Sequence, residues 1–180
     1  MPTRERPAPA RLEKPLGHTA SMVDGQNSRT MRFVIDVSAA PDVAWTLISD
    51  IGRHGEWSPQ EFEATKETAD PIRVGSRYRT AGRKGARKGV LRTTEVVVTA
   101  FEPTTTFAFE ATERAGVYRT RFHIEPSGPG SRIERVVQPP LRGLVPFIRH
   151  GLMAPVVRRY VQQNMDSLKV RLDELTPHGP

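Results

Sequence analysis

Residues 31–59 read MRFVIDVSAAPDVAWTLISDIGRHGEWSP, and this stretch decides the fold. Its first seven residues alternate, with Phe33, Ile35 and Val37 on one face and mostly polar side chains on the other. Period-two alternation of β-branched and aromatic residues predicts a strand with one buried face. A sheet that begins in this way needs a covering layer on one side.

A short helix is predicted to follow this strand. Pro41 fits its first position, because proline lacks an N–H that would be unpaired there and its φ is already helical. Val43 and Leu47 begin an apolar stripe one helical turn apart. We expect Asp50 to form local hydrogen bonds that end the helix.

The middle of the chain is rich in strands separated by turn residues. The spacing of these runs is typical of hairpins and predicts one antiparallel meander. The predicted strands cover residues 62–68, 76–80, 90–101, 104–110, 117–125 and 131–138.

A long amphipathic helix is predicted at the C-terminal end. Its apolar positions recur three or four residues apart, which is the period of a helix face. Pro155 should kink this helix or separate a preceding turn over residues 144–154. A single sheet packed on one helix is an α+β architecture in which each strand buries one face. The apolar positions are Val157, Val161, Met165, Leu168, Leu172 and Leu175.

The chain of 180 residues is long enough for one domain with a tail. We predict a disordered extension over residues 1–30, which is rich in proline, a folded domain over 31–176 and a tail over 177–180. Met22 or Met31 is an alternative start. Neither a secretory leader nor a transmembrane segment is expected, so we predict a cytoplasmic protein.

The net charge of +7 and the pI of about 10.3 favour phosphates or acidic surfaces as partners. Residues 82–89 form a basic, glycine-rich turn that could bind an anion. Because no aromatic residues interleave with its charges, nucleic acid is not the expected partner. We interpret the charge as a solvated surface.

Few residues are candidates for catalysis or for metal binding. The chain has no cysteine, and its five histidines show no metal-binding spacing, so we expect neither a metal nor another cofactor. Asp50, His54 and Glu56 lie close in sequence, and His54 with Glu56 could form an acid–base pair. We interpret this cluster as a solvated loop and assign no catalytic residue.

The motif in residues 31–59 resembles the opening of the START-like (SRPBCC) superfamily, in its polyketide cyclase/dehydrase and lipid-transport branch. The resemblance extends over residues 31–175. It implies a helix-grip fold, in which a curved antiparallel sheet wraps around a long C-terminal helix and two short helices follow the first strand. The matching positions are Pro41, Val43, Trp45, Asp50, Trp57, Ser58 and Pro59.

This resemblance implies a small hydrophobic ligand, lipid- or polyketide-like, held between the sheet and the helix. The alternation of the strands and the helix stripe suggest the wall positions, although the same residues could simply fill the core. The predicted ligand-binding residues are Trp57, Tyr78, Phe107, Phe109, Tyr118, Phe122, Val157, Tyr160, Val161 and Asn164.

Two other functions remain open from the sequence. One is an enzyme of the cyclase or aromatase type, which needs a positioned acid or base. The other is an interaction module that uses the basic surface, and a homodimer is also possible. The candidate acid–base residues of the enzyme are Tyr78, Tyr118, Tyr160, His54 and Glu110.

Overall fold

The computed structural model describes residues 30–60, 62–83, 91–113, 116–140 and 144–176, and the side chains of all of these except 83, 91, 92 and 144–154. The predicted α+β arrangement is confirmed, with two short helices after the first strand and a long helix at the end. The elements are β1 (Met31–Val37), α1 (Pro41–Ile48), a 3-10 helix (Ile51–Glu56), β2 (Phe62–Lys66), β3 (Arg77–Arg83), β4 (Leu91–Glu102), β5 (Thr106–Glu113), β6 (Gly116–Ser127), β7 (Gly130–Gln138) and α2 (Leu144–Leu175).

The strands form one antiparallel sheet in the order β1-β7-β6-β5-β4-β3-β2. Each strand from β2 to β6 therefore pairs with the next one along the chain, and β1 pairs with β7 at one edge of the sheet. Phe33, Ile35 and Val37 are buried and their neighbours are exposed, as the alternation of β1 predicts. The sheet thus has one inner face and one outer face.

The ends of several strands differ from the prediction. The fifth strand begins at Thr106 instead of residue 104, because residues 102–105 form a turn with Thr104 at a φ of 61°. The same strand extends to Glu113 instead of residue 110, because it stays paired with β6 up to that point. A local turn sets the start of this strand, and pairing with its neighbour sets its end.

The two short helices follow directly from the motif. Pro41 occupies the first turn of α1, and Ala44, Leu47 and Ile48 are buried beneath it. The side chain of Asp50 accepts a hydrogen bond of 2.8 Å from the backbone N–H of Gly52, at the start of the 3-10 helix. Asp50 is therefore the local hydrogen-bonding residue that the sequence predicts.

The helix α2 covers part of the inner face with the predicted stripe. Val161, Met165, Leu168 and Leu172 are buried in the core. The helix runs through Pro155 without a break, so the predicted separation of a turn over residues 144–154 is wrong. A proline removes one backbone hydrogen bond, whereas the helix retains the others on both sides of it.

The C-terminal part of α2 is fastened to the end of β1. The carboxylate of Asp173 accepts hydrogen bonds from the backbone N–H of Ser38, at 2.9 Å, and from its hydroxyl, at 2.7 Å. Lys169 donates to the carbonyl of Asp36 at 2.6 Å. Burial alone would raise the pKa of Asp173, but the bonds from Ser38 and Lys169 lower it below the usual value.

Three predicted features lie outside the described residues. They are the extension over residues 1–30 except for Thr30, most of the basic turn over 82–89, and the tail over 177–180. Among the helices that the structure describes, none has the length and apolarity needed to cross a membrane.

We expect Asp173→Ala to lower the free energy of unfolding by about 1–3 kcal/mol, because it leaves two donors of Ser38 without their charged acceptor. Urea denaturation measures this loss. The control is Glu174→Ala, which removes an exposed carboxylate 3.4 Å from Arg171 and should change stability by less than about 0.5 kcal/mol. Equal effects of the two substitutions would contradict the anchoring role of Asp173.

Candidate functional site

A row of directly paired residues crosses the inner face of the sheet through five strands. Arg135 pairs with Phe33 on one side and with Phe122 on the other. The row continues from Phe122 to Phe107 and from Phe107 to Phe101. Side chains in direct register lie on the same face of a sheet. One arginine therefore stands in a row that is otherwise composed of phenylalanine.

His54 lies at the centre of the aromatic side chains. Its ring centroid is 4.8 Å from that of Trp57, 6.0 Å from that of Phe109 and 6.5 Å from those of Phe107 and Phe122. The side chain is only 7% exposed. The interpretation of this loop as solvated is therefore wrong for His54, because the 3-10 helix turns its ring inward.

The histidine is held as a neutral donor. Its Nε2 lies 2.8 Å from the carbonyl oxygen of Ile48, and since a carbonyl accepts, Nε2 carries the proton. Burial lowers the pKa of His54 to about 4, the bond to Ile48 opposes this shift, and the charge of Arg135 adds to it. At neutral pH the ring is uncharged.

The predicted alternative in which His54 and Glu56 form an acid–base pair is also wrong. Glu56 binds Arg53, with an Oε1 to Nε distance of 2.6 Å, and Arg171 at 3.3 Å. The hydrogen bond from Arg53 is the main reason that the pKa of Glu56 lies below its usual value. The carboxylate is therefore committed to two guanidinium groups and is not available to the histidine.

Arg135 extends over the face of the Phe122 ring, with its Cζ 5.0 Å from the ring centroid. Its Nε and Nη1 are buried and have no hydrogen-bond partner among the described residues. Burial lowers the pKa of Arg135 to about 10, and Tyr160 partly opposes this shift. The guanidinium thus stays charged at neutral pH inside an aromatic environment.

The other unpartnered buried donors in the described part of the chain include Trp57 Nε1 and the hydroxyl of Tyr78. Both side chains belong to the core, with exposures of 4% and 1%. Burial, with the charges of Asp50 and Asp70, raises the pKa of Tyr78 to about 12. Its hydroxyl is therefore a neutral hydrogen-bonding group, not a base.

Beside the aromatic cluster, several inner-face residues are only half-buried. Phe109 and Ala111 on β5 pack against the core and yet remain partly exposed, as do Val157 and Tyr160 on α2. Tyr118 on β6 pairs directly with Ala111 and is half-buried too. We call these five residues the mouth, because they are apolar or aromatic groups of the inner side that solvent still reaches.

A separate surface groove of about 420 Å³ lies on the other side of Trp57. It is open and lined mostly by polar side chains, so it differs from the apolar interior. Its lining residues are Glu56, Trp57, Ser58, Asp166, Ser167, Val170, Arg171 and Glu174.

The sequence profile of a known family, described as polyketide cyclase/dehydrase and lipid transport, matches residues 28–173. The chain belongs to this family. Among curated proteins, none matches the chain significantly.

Solved structures share the fold of this chain. One is protein CV1439 from Chromobacterium violaceum, with 18% identity, a TM-score of 0.62 and coverage of 80% of this chain and 97% of that one. Another is Ara h 8.0201, with 12% identity, a TM-score of 0.63 and coverage of 79% and 96%.

The third comparison is with a two-domain protein. The di-domain ARO/CYC StfQ from the steffimycin biosynthetic pathway has 13% identity and a TM-score of 0.63. The match covers 81% of this chain and 51% of that one. At these identities the likeness shows the helix-grip fold, which the sequence predicts, and no more.

The predicted wall residues occupy the inner side of the fold. Phe109, Tyr118, Val157 and Tyr160 are half-buried at the mouth. Asn164 is buried, but its amide donates to the carbonyl of Tyr160 within α2, at 3.0 Å. Whether these residues contact a ligand remains a prediction. The other predicted wall residues, all in the core, are Trp57, Tyr78, Phe107, Phe122 and Val161.

Arg135 is not among the residues that the sequence singles out, and His54 is named there only as an acid–base candidate in a solvated loop, not as a buried group. For Arg135 a signal existed, because it falls on the same face of β7 as the buried Ile133 and Val137. For His54 there was none, because polar residues and glycines surround it in the sequence. The remaining acid–base candidate of the strands, Glu110, pairs with Arg119 at 2.8 Å and both are partly or largely exposed.

Several other arginines on the strands have acidic partners on the outer face. Arg32 binds Glu134 at 2.7 Å, and Arg79 binds Glu67 at 2.8 Å. These pairs reduce the positive potential of that face, and nothing in the comparisons supports a nucleic acid or a second copy as partner. In the described part of the chain, no group of three or more potential ligand side chains could hold a metal ion.

We expect the free energy of unfolding to decrease as the pH is lowered, because the buried His54 resists protonation in the folded protein. The unfolded chain binds a proton on this side chain near pH 6.5, whereas the folded protein does so only near pH 4. The contribution of the neutral histidine to stability is therefore complete above pH 6.5 and is lost as the pH falls from 6.5 to 4. Between pH 7.5 and 4.5 the wild type should lose about 2.5 kcal/mol more than His54→Gln.

Urea denaturation at both pH values measures this difference. Glutamine keeps a donor for the Ile48 carbonyl but does not titrate. The control His123→Gln changes an exposed histidine and should keep the wild-type pH dependence. Parallel losses in the wild type and His54→Gln would show that His54 is not the titrating group.

Proposed function

We propose that the protein binds a small hydrophobic molecule, lipid- or polyketide-like, between the inner face of the sheet and α2, and that it does so without catalysis. The observation that carries this proposal is the mouth. There, aromatic and aliphatic side chains of the inner side remain half-exposed next to a fully buried aromatic cluster.

The energetics favour an apolar occupant. Each Å² of apolar surface removed from water contributes about 25 cal/mol, so covering about 300 Å² on the two partners would contribute about 7 kcal/mol before the cost of association. Phe109 and Tyr160 offer flat rings at the mouth, and Val157 offers an aliphatic surface. Ligand sites of this kind are mostly apolar with a few polar groups.

The family description also supports a hydrophobic ligand, without identifying it. Its description joins cyclases and dehydrases with lipid transport. Two structural relatives, StfQ and BexL, are described as di-domain ARO/CYC proteins of biosynthetic pathways. Both kinds of activity need a hydrophobic molecule inside the fold, and this shared requirement is what we transfer to the present chain.

Catalysis by acid–base chemistry finds little support in the site. His54 is neutral with its Nε2 bound to a backbone carbonyl, and the hydroxyl of Tyr78 has a raised pKa. Glu110 pairs with Arg119 on the outer side. The cyclase alternative therefore depends on Tyr118 and Tyr160, which are the two candidate hydroxyl groups at the mouth.

A neutral apolar dye tests the binding proposal. We expect N-phenyl-1-naphthylamine to bind the wild type with an increase in fluorescence, and Ala111→Trp or Val157→Trp to weaken this binding about tenfold by filling the mouth. Circular dichroism checks that the variants fold.

Each variant has a matched control. Thr112→Trp and Arg158→Trp place the same side chain one residue further along, at exposed positions, and should leave the affinity within about twofold of the wild type. The binding proposal is wrong if the wild type does not bind the dye, or if the controls weaken binding as much as the mouth variants do.

A further inference from the structure

Strand β7 carries two arginines, of which Arg135 faces the inner side of the sheet and Arg132 the outer side. Arg132, three residues earlier on β7, lies on the outer face, 3.7 Å from Asp36 and 3.9 Å from Glu125. Arg135 instead points inward, between Phe33 and Phe122 in the sheet register. The same strand thus pairs one guanidinium with two carboxylates and leaves the other among aromatic rings.

The surroundings of Arg135 satisfy only part of its bonding capacity. The Phe122 ring beneath the guanidinium interacts with its positive charge. The ring cannot accept hydrogen bonds from N–H groups that point away from it within the guanidinium plane. Nε and Nη1 are buried without a hydrogen-bond partner in the described residues. Burying a charge costs free energy unless an opposite charge and hydrogen bonds compensate it.

An arginine also cannot avoid this cost by losing its proton. The guanidinium keeps its charge in proteins, whereas a buried lysine or carboxyl group can become neutral. The described residues that act electrostatically on Arg135 include Tyr160 at the mouth and the neutral His54. Neither group is a carboxylate, which is the usual partner of a buried guanidinium.

The unpartnered groups near Arg135 call for an acceptor. Trp57 borders the same Phe122 ring, with centroids 6.5 Å apart, and its Nε1 is a buried donor without a partner among the described residues. The indole N–H and the guanidinium N–H groups can only donate. Within the same described ranges Arg171 also has a buried, unpartnered Nε, but its terminal nitrogens already bind Glu56 and Glu174.

We propose that the ligand of this site is an amphipathic acid, whose carboxylate or other anionic oxygen group pairs with Arg135 while its apolar part lies at the mouth. This inference rests on the proposed function, because it places the acid in the same space. A carboxylate is the natural partner of a guanidinium, since it accepts two of its N–H bonds and neutralises its charge.

Matched probes that differ only in charge test the inference. The pairs are decanoic acid with 1-decanol and 2-naphthoic acid with 2-naphthalenemethanol, each used at pH 7.5 to displace N-phenyl-1-naphthylamine from the full chain. In the wild type, at least one acid should bind about tenfold or more tightly than its alcohol, as expected for a charge-assisted hydrogen bond.

Substitutions then assign the preference to Arg135. Arg135→Met keeps an unbranched, flexible side chain without the charge, and should reduce the ratio of acid to alcohol affinity to about twofold or less while binding the alcohol at least as well. Arg135→Lys should keep part of the preference. Arg132→Met, on the outer face, should keep all of it. If Arg135→Met does not fold, Arg135→Gln provides the uncharged variant.

The outcomes separate the two proposals. Wild-type protein that binds the dye but shows no preference for either acid overturns the anionic ligand and leaves hydrophobic binding intact. A preference that survives in Arg135→Met or Arg135→Gln overturns the role of Arg135. Failure of the wild type to bind the dye, the alcohols and the acids overturns the proposed function itself.

Discussion

A seven-stranded sheet is wider than the helix that covers it, and the rest of the structure depends on this mismatch. Strands about 4.8 Å apart make a sheet about 29 Å wide, whereas a helix with its side chains is about 10–12 Å across. The sheet must therefore curve, and the space beside α2 has to be filled by something else. In this protein, α1 and the 3-10 helix supply Trp45, His54 and Trp57 to that space.

Side chains fill this space unevenly, so the site has a closely packed part and a partly exposed part. Around His54 the rings are in close contact and the interior is dry enough to keep a histidine neutral. Towards Tyr118 and Tyr160 the inner side chains keep part of their surface in solvent. Arg135 lies between these regions, in register with buried phenylalanines but electrostatically coupled to Tyr160. A packed aromatic floor with a charge at its border is better suited to orienting a molecule than to enclosing an unspecific apolar one.

The sequence predicts the frame of the fold well and the site less well, for a physical reason. The alternation of β1 and the stripe of α2 are periodic, and the period indicates which face is buried, so the sequence places Phe33 and Leu168 in the core, where they lie. The motif with Pro41 and Asp50 adds local rules of helix capping, which hold at short range. His54 and Arg135 obey neither kind of rule. Their burial results from side chains that are distant in sequence, such as Phe62, Phe107 and Phe122, and polarity alone predicts the opposite.

The fastening of α2 has a mechanical consequence. Asp173 and Lys169 hold the end of the helix to β1, whereas Val157 lies about 24 Å away along the helix axis, at 1.5 Å per residue. The helix is thus held at its C-terminal end, which can be treated as a fulcrum, and Val157 and Tyr160 lie near its middle. By simple geometry, a rotation of about 5° at the fulcrum displaces Val157 by about 2 Å, a distance comparable to the radius of a methyl group. A small tilt of the helix about these bonds would therefore shift Val157 and Tyr160 further than the residues beside the bonds themselves.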